Sequence, residues 1–285
     1  MPPVEYRAVT DVDFRAFTAA FNLAYSDYFT PISMTISSFQ SLIERDDLSL
    51  ADSVAAIEDG RIVGTGMLGI RGDGGWIGGM GVVPDHRRQG IGRQMMLFLI
   101  NRARQRHLGH IVLEVIEQNH GAHALYSNLG FVEMRDLISV EREPGTPPTV
   151  DDIAPYTVSE QSVSTLLRHY DAFHTVENCW QRSLRSLELL IPHIEGWGVM
   201  SGDCLAGYAL GWAGRHGVRL IDFALNPEGD VVAAGVAILA TLHGQYPDAP
   251  GSTYNTPADD PVLEAYWRLG YRKALAQIEM RLVLD

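Results

Sequence analysis

Residues 82–96 read VVPDHRRQGIGRQMM. A short apolar run breaks at Pro84, turns basic at Arg87 and Arg88, passes Gly90 and Gly92, and enters an amphipathic stretch. The pattern predicts a strand that hands over to a helix just after Gly90. The first turn of such a helix has backbone N–H groups with no partner inside the helix, and the helix dipole favours negative charge there. Glycines at 90 and 92 take Cβ atoms out of the approach to those amides, while Arg87, Arg88 and Arg93 add charged donors. Together they describe a cradle for a phosphate or diphosphate. The plainer alternative is a strand–helix turn with exposed arginines, because glycine fingerprints are weak alone.

The totals frame that choice. The chain has 285 residues, more than one core usually fills, so two domains are expected. Net charge is −13, with residues 1–142 contributing −4 and residues 143–285 contributing −9. A surface of that sign repels nucleic-acid backbones, so no nucleic-acid partner is expected, and it tolerates a cationic small molecule. No apolar run spans a bilayer, and the start MPPVEYRAVTDVDF lacks the blocks of a secretory signal, so neither membrane nor export is expected. The two cysteines, Cys179 and Cys204, read as free core thiols of a reducing compartment, and the expected location is cytoplasmic.

The stretch 141–152, EREPGTPPTVDD, stacks prolines and a glycine between two patterned regions. It divides the chain into residues 1–142, a linker at 143–152, and residues 153–285. The first region reads as a strand at EYRAVT, helices near 11–25 and 37–44, and a hairpin about Asp59-Gly60. The strand GWIGGMGVV, a helix ending near Leu108-Gly109 and the buried strand HIVLEVI follow. A short helix from Asn119 to Gly130 then leads to closing strands in FVEMRDLISVE. The second region repeats the first. Gly64 of DGRIVGTGML falls on Gly207 of GDCLAGYAL and Pro84 on Pro227, both at an offset of 143, and Gly130 of YSNLGF falls on Gly270 of YWRLGY at 140. The expected class is α+β: two tandem domains, each a mixed, mostly antiparallel sheet flanked by helices.

In this wider pattern the loop resembles the acyl-CoA motif of the GCN5-related N-acetyltransferase (GNAT) family, Gln/Arg-x-x-Gly-x-Gly/Ala, here Arg87-Arg88-Gln89-Gly90-Ile91-Gly92. The family's lead-in is present as Val82-Val83-Pro84, and its later motif as Asn119-x-x-Ala122-x-x-Leu125-Tyr126-x-x-x-Gly130-Phe131. The order of elements matches over residues 5–142. The resemblance implies two GNAT-like copies and acetyl-CoA as acyl donor. It implies a diphosphate lined by Arg87, Arg88, Gln89, Gly90, Ile91, Gly92 and Arg93, and a pantetheine arm along the backbone of Val82 and Val83. It further implies that Asn119 contacts that arm, that neighbouring strands splay at a bulge, and that Tyr126 points at the thioester sulfur. In the second copy Asp230 takes the place of Arg87 and no arginine remains in EGDVVAAG, so that copy is expected not to bind acyl-CoA.

N-acyl transfer needs a neutral amine and a proton for the leaving thiolate. Tyr126 fits the acid role, although Tyr266 recurs at the matching place of the second copy, as a packing residue would. The glutamate that many family members carry on the strand before the loop is missing from GWIGGMGVV. Glu114 and Glu117 flank the end of the next strand. Glu114 is a candidate base, with a surface ion pair as its plainer role and a water chain as another route. Tyr25, Asp27, Tyr28 and Phe29 suggest an acceptor pocket in which Asp27 holds a cationic amine, or else an ordinary helix end. The pairs His120/His123 and His107/His110 lack further ligands, so no metal is expected. The expected activity is acetyl-CoA-dependent N-acetyl transfer to a small amine by the first copy of a monomer or homodimer. The alternative is a non-catalytic acyl-CoA sensor or structural protein.

Overall fold

The computed structural model describes residues 3–145 and 155–285. The chain divides into two compact units: residues 1–134 with 279–285, and residues 135–278. The proline-rich linker lies outside the described residues from 146 onward.

The first unit opens with strand β1 (Glu5–Ala8) and helices α1 (Phe14–Ala24) and α2 (Ile36–Arg45). Asp13 caps α1 by accepting from the Ala16 amide at 2.8 Å, and Thr35 with Ser38 forms a capping box on α2. The two helices meet through aromatic rings: Phe39 lies 5.4, 5.9 and 5.0 Å from Phe14, Phe17 and Phe21. Strands β2 (Val54–Glu58) and β3 (Arg61–Arg71) turn at Asp59 and Gly60, both with positive φ. Then come β4 (Gly74–Val82), α3 (Ile91–Gln105), β5 (His110–Ile116), α4 (His120–Ser127) and β6 (Val132–Arg142). The order is β1-β2-β3-β4-β5, antiparallel except for the parallel β4/β5 pair. Met95, Met96 and Leu99 of α3 are fully buried, as are Met67 and Leu68 of β3.

The second unit repeats that order: β8 (Glu195–Ser201), β9 (Cys204–Gly214), β10 (Gly217–Leu225), α8 (Val231–Gln245), β11 (Gly251–Pro257), α9 (Val262–Arg268) and β12 (Arg272–Val283). Strand β7 (Tyr156–Glu160) and the short helices α5 (Val163–Leu166), α6 (Tyr170–Phe173) and α7 (Leu184–Leu190) precede it. Here too the sheet is antiparallel apart from one parallel pair, β10 with β11. The core gathers Trp197, Phe223, Leu239, Leu242, Tyr266 and Leu269.

Two sequence readings are corrected. VEMRDLISVE, from Val132, and the residue after it form one uninterrupted strand, β6, and not a pair of closing strands. From Leu137 to Arg142 that strand pairs with β11, and the last residues of the chain, Glu279–Asp285, complete the first unit. Eleven residues with no Gly or Pro, half of them apolar or β-branched, give no local reason to turn. The second correction concerns the thiols: Cys179 is buried, but Cys204 opens β9 at the surface and is not a core residue.

Candidate active site

The site is set by an interruption in β4. Its ladder with β3 slips between Thr65 and Met67, and Gly79 sits at the slip with φ +60°. A Cβ on Gly79 would come within 2.4 Å of Met67 Cε, the movable end of that side chain, so it is the positive φ that calls for glycine. The parallel ladder of β4 with β5 covers only Gly74–Trp76 against His110–Val112. Past that point β4 runs on to Val82 and β5 to Ile116 without pairing with each other, which is the splay that the loop motif implies. A Gly-Gly pair inside a strand pattern was the available signal for this bulge.

At the end of β4 the chain makes a short 3₁₀ turn over Pro84–His86 and enters α3. Arg88 (φ +64°) and Gly90 (φ +83°) both adopt the left-handed region. Gly90 occupies the N-cap position with no side-chain cap. Among the described helices of eight or more residues, α1, α2, α4 and α8 are all capped by a side chain and α3 is not. The first amides of a fifteen-residue helix are therefore left open to whatever occupies the loop.

A Cβ on Gly90 would meet nothing within 4 Å, so the space outside it is free. Gly92 differs from the sequence reading. Its missing Cβ faces Leu125, Met80 and Val82 at 3.6–3.8 Å, which is ordinary contact and away from the open amides. Gln89 Nε2 donates to the Asp85 carbonyl at 3.3 Å, and Ile91 is buried. Arg88 and Arg93 are exposed.

Arg87 is placed otherwise than expected. Its guanidinium forms a two-pronged pair with Asp27 (2.8 and 2.7 Å) and donates to the carbonyls of Val82 and Ala24, each at 3.0 Å. Asp27, expected to hold an amine, is held by Arg87, whose hydrogen bonds keep its carboxyl below the usual range. In this structure the two residues are partners of each other.

Four of the remaining candidates, Tyr25, Tyr28, Asn119 and Tyr126, converge. Tyr25 donates its hydroxyl to the Met80 carbonyl beside the bulge (3.2 Å) and stacks edge-on against Tyr28, 4.9 Å between centroids. Tyr28 reaches Asn119, and burial raises the phenol pKa of all three tyrosines, with Tyr28 and Tyr126 adding to the rise at Tyr25. Asn119 also caps α4 by accepting from the Ala122 amide at 3.2 Å. Tyr126 is buried and tilted against Phe131. Burial, and secondarily Tyr28, pushes its phenol well above the ordinary tyrosine value, so it stays a proton-bearing donor throughout the physiological range. Glu114 Oε2 accepts the indole N–H of Trp76 at 2.8 Å. Among the described residues no cluster of His, Cys, Asp and Glu could hold a metal ion.

In the second unit the same positions are filled from within. Asp230 caps α8 by accepting from the Ala233 amide at 3.0 Å. At the β10 slip Asp222 stands where Gly79 stands in the first unit, fully buried and bonded by Tyr208 (3.0 Å) and His174 (3.2 Å).

Comparison with known proteins agrees with this geometry. The profile of the Acetyltransferase (GNAT) family matches residues 11–131. No curated protein matches the chain in sequence. Over 99% of its length the chain superposes on a GCN5-related N-acetyltransferase from Sphaerobacter thermophilus, with TM-score 0.73, 15% identity and 97% of that chain covered. A tandem GNAT protein from the clavulanic acid biosynthesis pathway, solved without AcCoA, matches with TM-score 0.67 and 14% identity, covering 99% of this chain and 98% of that one. A GCN5-related N-acetyltransferase from Anabaena variabilis matches with TM-score 0.64 and 11% identity, over 99% of this chain and 73% of that one. At such identities the likeness is one of fold. The family match covers residues 11–131, fewer than half of the 285.

Proposed function

We propose that the first unit transfers an acetyl group from acetyl-CoA to the nitrogen of a small amine. The observation that carries this reading is the bare N-terminus of α3, reached through a loop of left-handed residues and flanked by Arg88 and Arg93, beside two strands that part. The open side of Gly90 suits a diphosphate, since anions bind amides at helix starts. The amides from Arg88 to Gly92 would receive it, with Arg88, Gln89 and Arg93 around them. The unpaired edge of β4, through Val82 and Val83, would take the amide-bearing arm as an added strand, with Asn119 near it.

When bound, acetyl-CoA supplies an activated acyl group on a thiol leaving group. Tyr126 holds a proton in a desolvated pocket and donates it toward the sulfur as charge develops there. Glu114, held by Trp76, is the carboxylate we assign to taking the amine's proton, directly or through water. Tyr25 and Tyr28 form an aromatic wall on which an amine's carbon skeleton can rest. The acidic surface agrees with a cationic acceptor, and the free thiols with a cytoplasmic location. No helix of the described residues is long and apolar enough to cross a membrane.

The test is calorimetry with coenzyme A, followed by thiol release from acetyl-CoA over a panel of small amines. Micromolar binding with amine-dependent release is expected. The absence of coenzyme A binding would end this proposal. Binding without turnover of any amine would favour the second reading, an acyl-CoA sensor, which the lack of a carboxylate on β4 supports.

A further inference from the structure

We propose that Arg87, the first residue of the glycine-loop motif, is a positioning residue: through Asp27 it fixes the loop of residues 25–29 against the end of β4, leaving the diphosphate to Arg88, Arg93 and the loop amides. This rests on the reading of the α3 N-terminus as a diphosphate site.

A guanidinium has five N–H donors in a fixed fork. Arg87 directs one at Val82, one at Ala24 and two at the paired oxygens of Asp27. Four of five are engaged, each by a group of the first unit. Val82 ends β4, where the acyl arm would lie, and Ala24 ends α1, where carbonyls lack helical partners and a cation is favoured. The side chain therefore joins the strand that borders the cofactor side to the helix end that begins the acceptor side. Offering its fork to a diphosphate would break the paired bond to Asp27, since only one N–H is left over. By contrast, Arg88 and Arg93 project into solvent, where a diphosphate can reach them without loss.

What Arg87 fixes is chemically specific. Asp27 lies between Tyr25 and Tyr28. Tyr25 bonds Met80 beside the bulge, and Tyr28 reaches Asn119 and neighbours Tyr126. Releasing Asp27 frees the short segment carrying both rings of the acceptor wall. An exposed ion pair alone contributes little. The parallel double bond to a carboxylate, with two carbonyl anchors behind it, selects one geometry that lysine cannot reproduce.

Four full-length variants test this: Arg87→Gln, Arg87→Lys, Asp27→Asn and Arg93→Gln. The coenzyme A dissociation constant should stay within threefold of the parent in the first three and rise at least tenfold in Arg93→Gln. Hydrogen exchange of amides 24–30 should quicken three- to tenfold in the first three and not in Arg93→Gln. With any amine turned over by the parent at saturating acetyl-CoA, the first three should raise the amine KM at least fivefold with kcat within threefold. Arg87→Lys should fail to rescue, since charge without the fork does not rebuild the contact. Asp27→Asn keeps the test open should Arg87→Gln not fold. The proposal is overturned if Arg87→Gln loses coenzyme A affinity as Arg93→Gln does and Arg87→Lys restores it, or if exchange at 24–30 is unchanged. A parent that binds no coenzyme A would refute the diphosphate reading, while the exchange result would still decide the positioning role.

Discussion

Helices α3 and α8 occupy the same place in two copies of one fold, and they begin in opposite ways. Helix α3 starts at a left-handed glycine with nothing on its amides, while α8 starts at an aspartate whose carboxylate already sits on the Ala233 amide. A carboxylate at an N-cap satisfies an orphan donor and the helix dipole together. The second copy thus carries its own anion, and an external one would meet like charge. The strand slips tell the same story. Gly79 leaves the first bulge bare, and Asp222 fills the second with a carboxylate bonded by Tyr208 and His174. Burial alone would raise the Asp222 pKa, yet His174 and Arg182 outweigh it and hold it low. One copy keeps its polar groups exposed to a ligand, and the other has closed the equivalent positions on themselves.

The largest effect that can break this comparison is on the paired tyrosines. Tyr126 lies beside Tyr28, which also reaches Asn119, whereas Tyr266 is enclosed edge-on by Phe223 (5.4 Å) and Tyr271 (4.9 Å). Tyr126→Phe should lower kcat about a hundredfold, within the range of a general acid, and Tyr266→Phe should leave it within twofold. Because the Tyr126 phenol titrates far above its ordinary value, the parent's kcat profile should show no tyrosine limb up to pH 9. Equal losses in both variants would make Tyr126 a packing residue.

Next in size is Gly90→Val. A β-branched residue at φ +83° is strained by about 1–3 kcal/mol, and relief of that strain must move the loop amides. Coenzyme A affinity should fall at least tenfold while the rest of the unit stays folded, since no atom lies within 4 Å of the new Cβ. An unchanged dissociation constant would remove the loop from the site.

Each helix also carries a glycine near its start, Gly92 second in α3 and Gly235 fifth in α8, and they refine the comparison. A Cβ on Gly235 would lie 2.7 Å from the Ala265 Cβ, but one on Gly92 meets only ordinary contacts. Gly235→Ala should destabilise by about 1–3 kcal/mol through overpacking. Gly92→Ala should be neutral or stabilising by about 0.5–1 kcal/mol, as alanine is the better helix former, with coenzyme A binding within threefold. Calorimetric melting of the two variants decides it.

How far the sequence led can be judged residue by residue. The loop, the hairpin at Asp59-Gly60 and the repeat were legible because each rests on local chemistry: glycine's positive φ, alternating apolar residues and a fixed offset. The convergence of Tyr25, Tyr28 and Tyr126 was legible only through the family's spacing. What sequence could not give was partner choice. Arg87 reads as a cation for a diphosphate until Asp27, sixty positions away, takes it. Strand β6 reads as closing its own sheet because its residues favour a strand and say nothing about which edge it joins. Gly92 looks like Gly90 in a motif, and only the surrounding side chains distinguish open space from contact.

The smallest effect is on the cap that closes the second copy. Asp230→Ala removes the acceptor for the Ala233 amide, which costs about 1 kcal/mol and should lower the melting temperature by about 2–4 °C. Coenzyme A affinity of the whole protein should not change, because baring one amide supplies neither a left-handed approach nor an arginine: the α8 lead-in carries Glu228 and Asp230, and the α3 lead-in carries Arg87 and Arg88. A second equivalent of coenzyme A bound by Asp230→Ala would mean that a single carboxylate keeps the ligand out. The loss of function in the second copy would then be one substitution deep, and the rest of its loop would be as competent as the first.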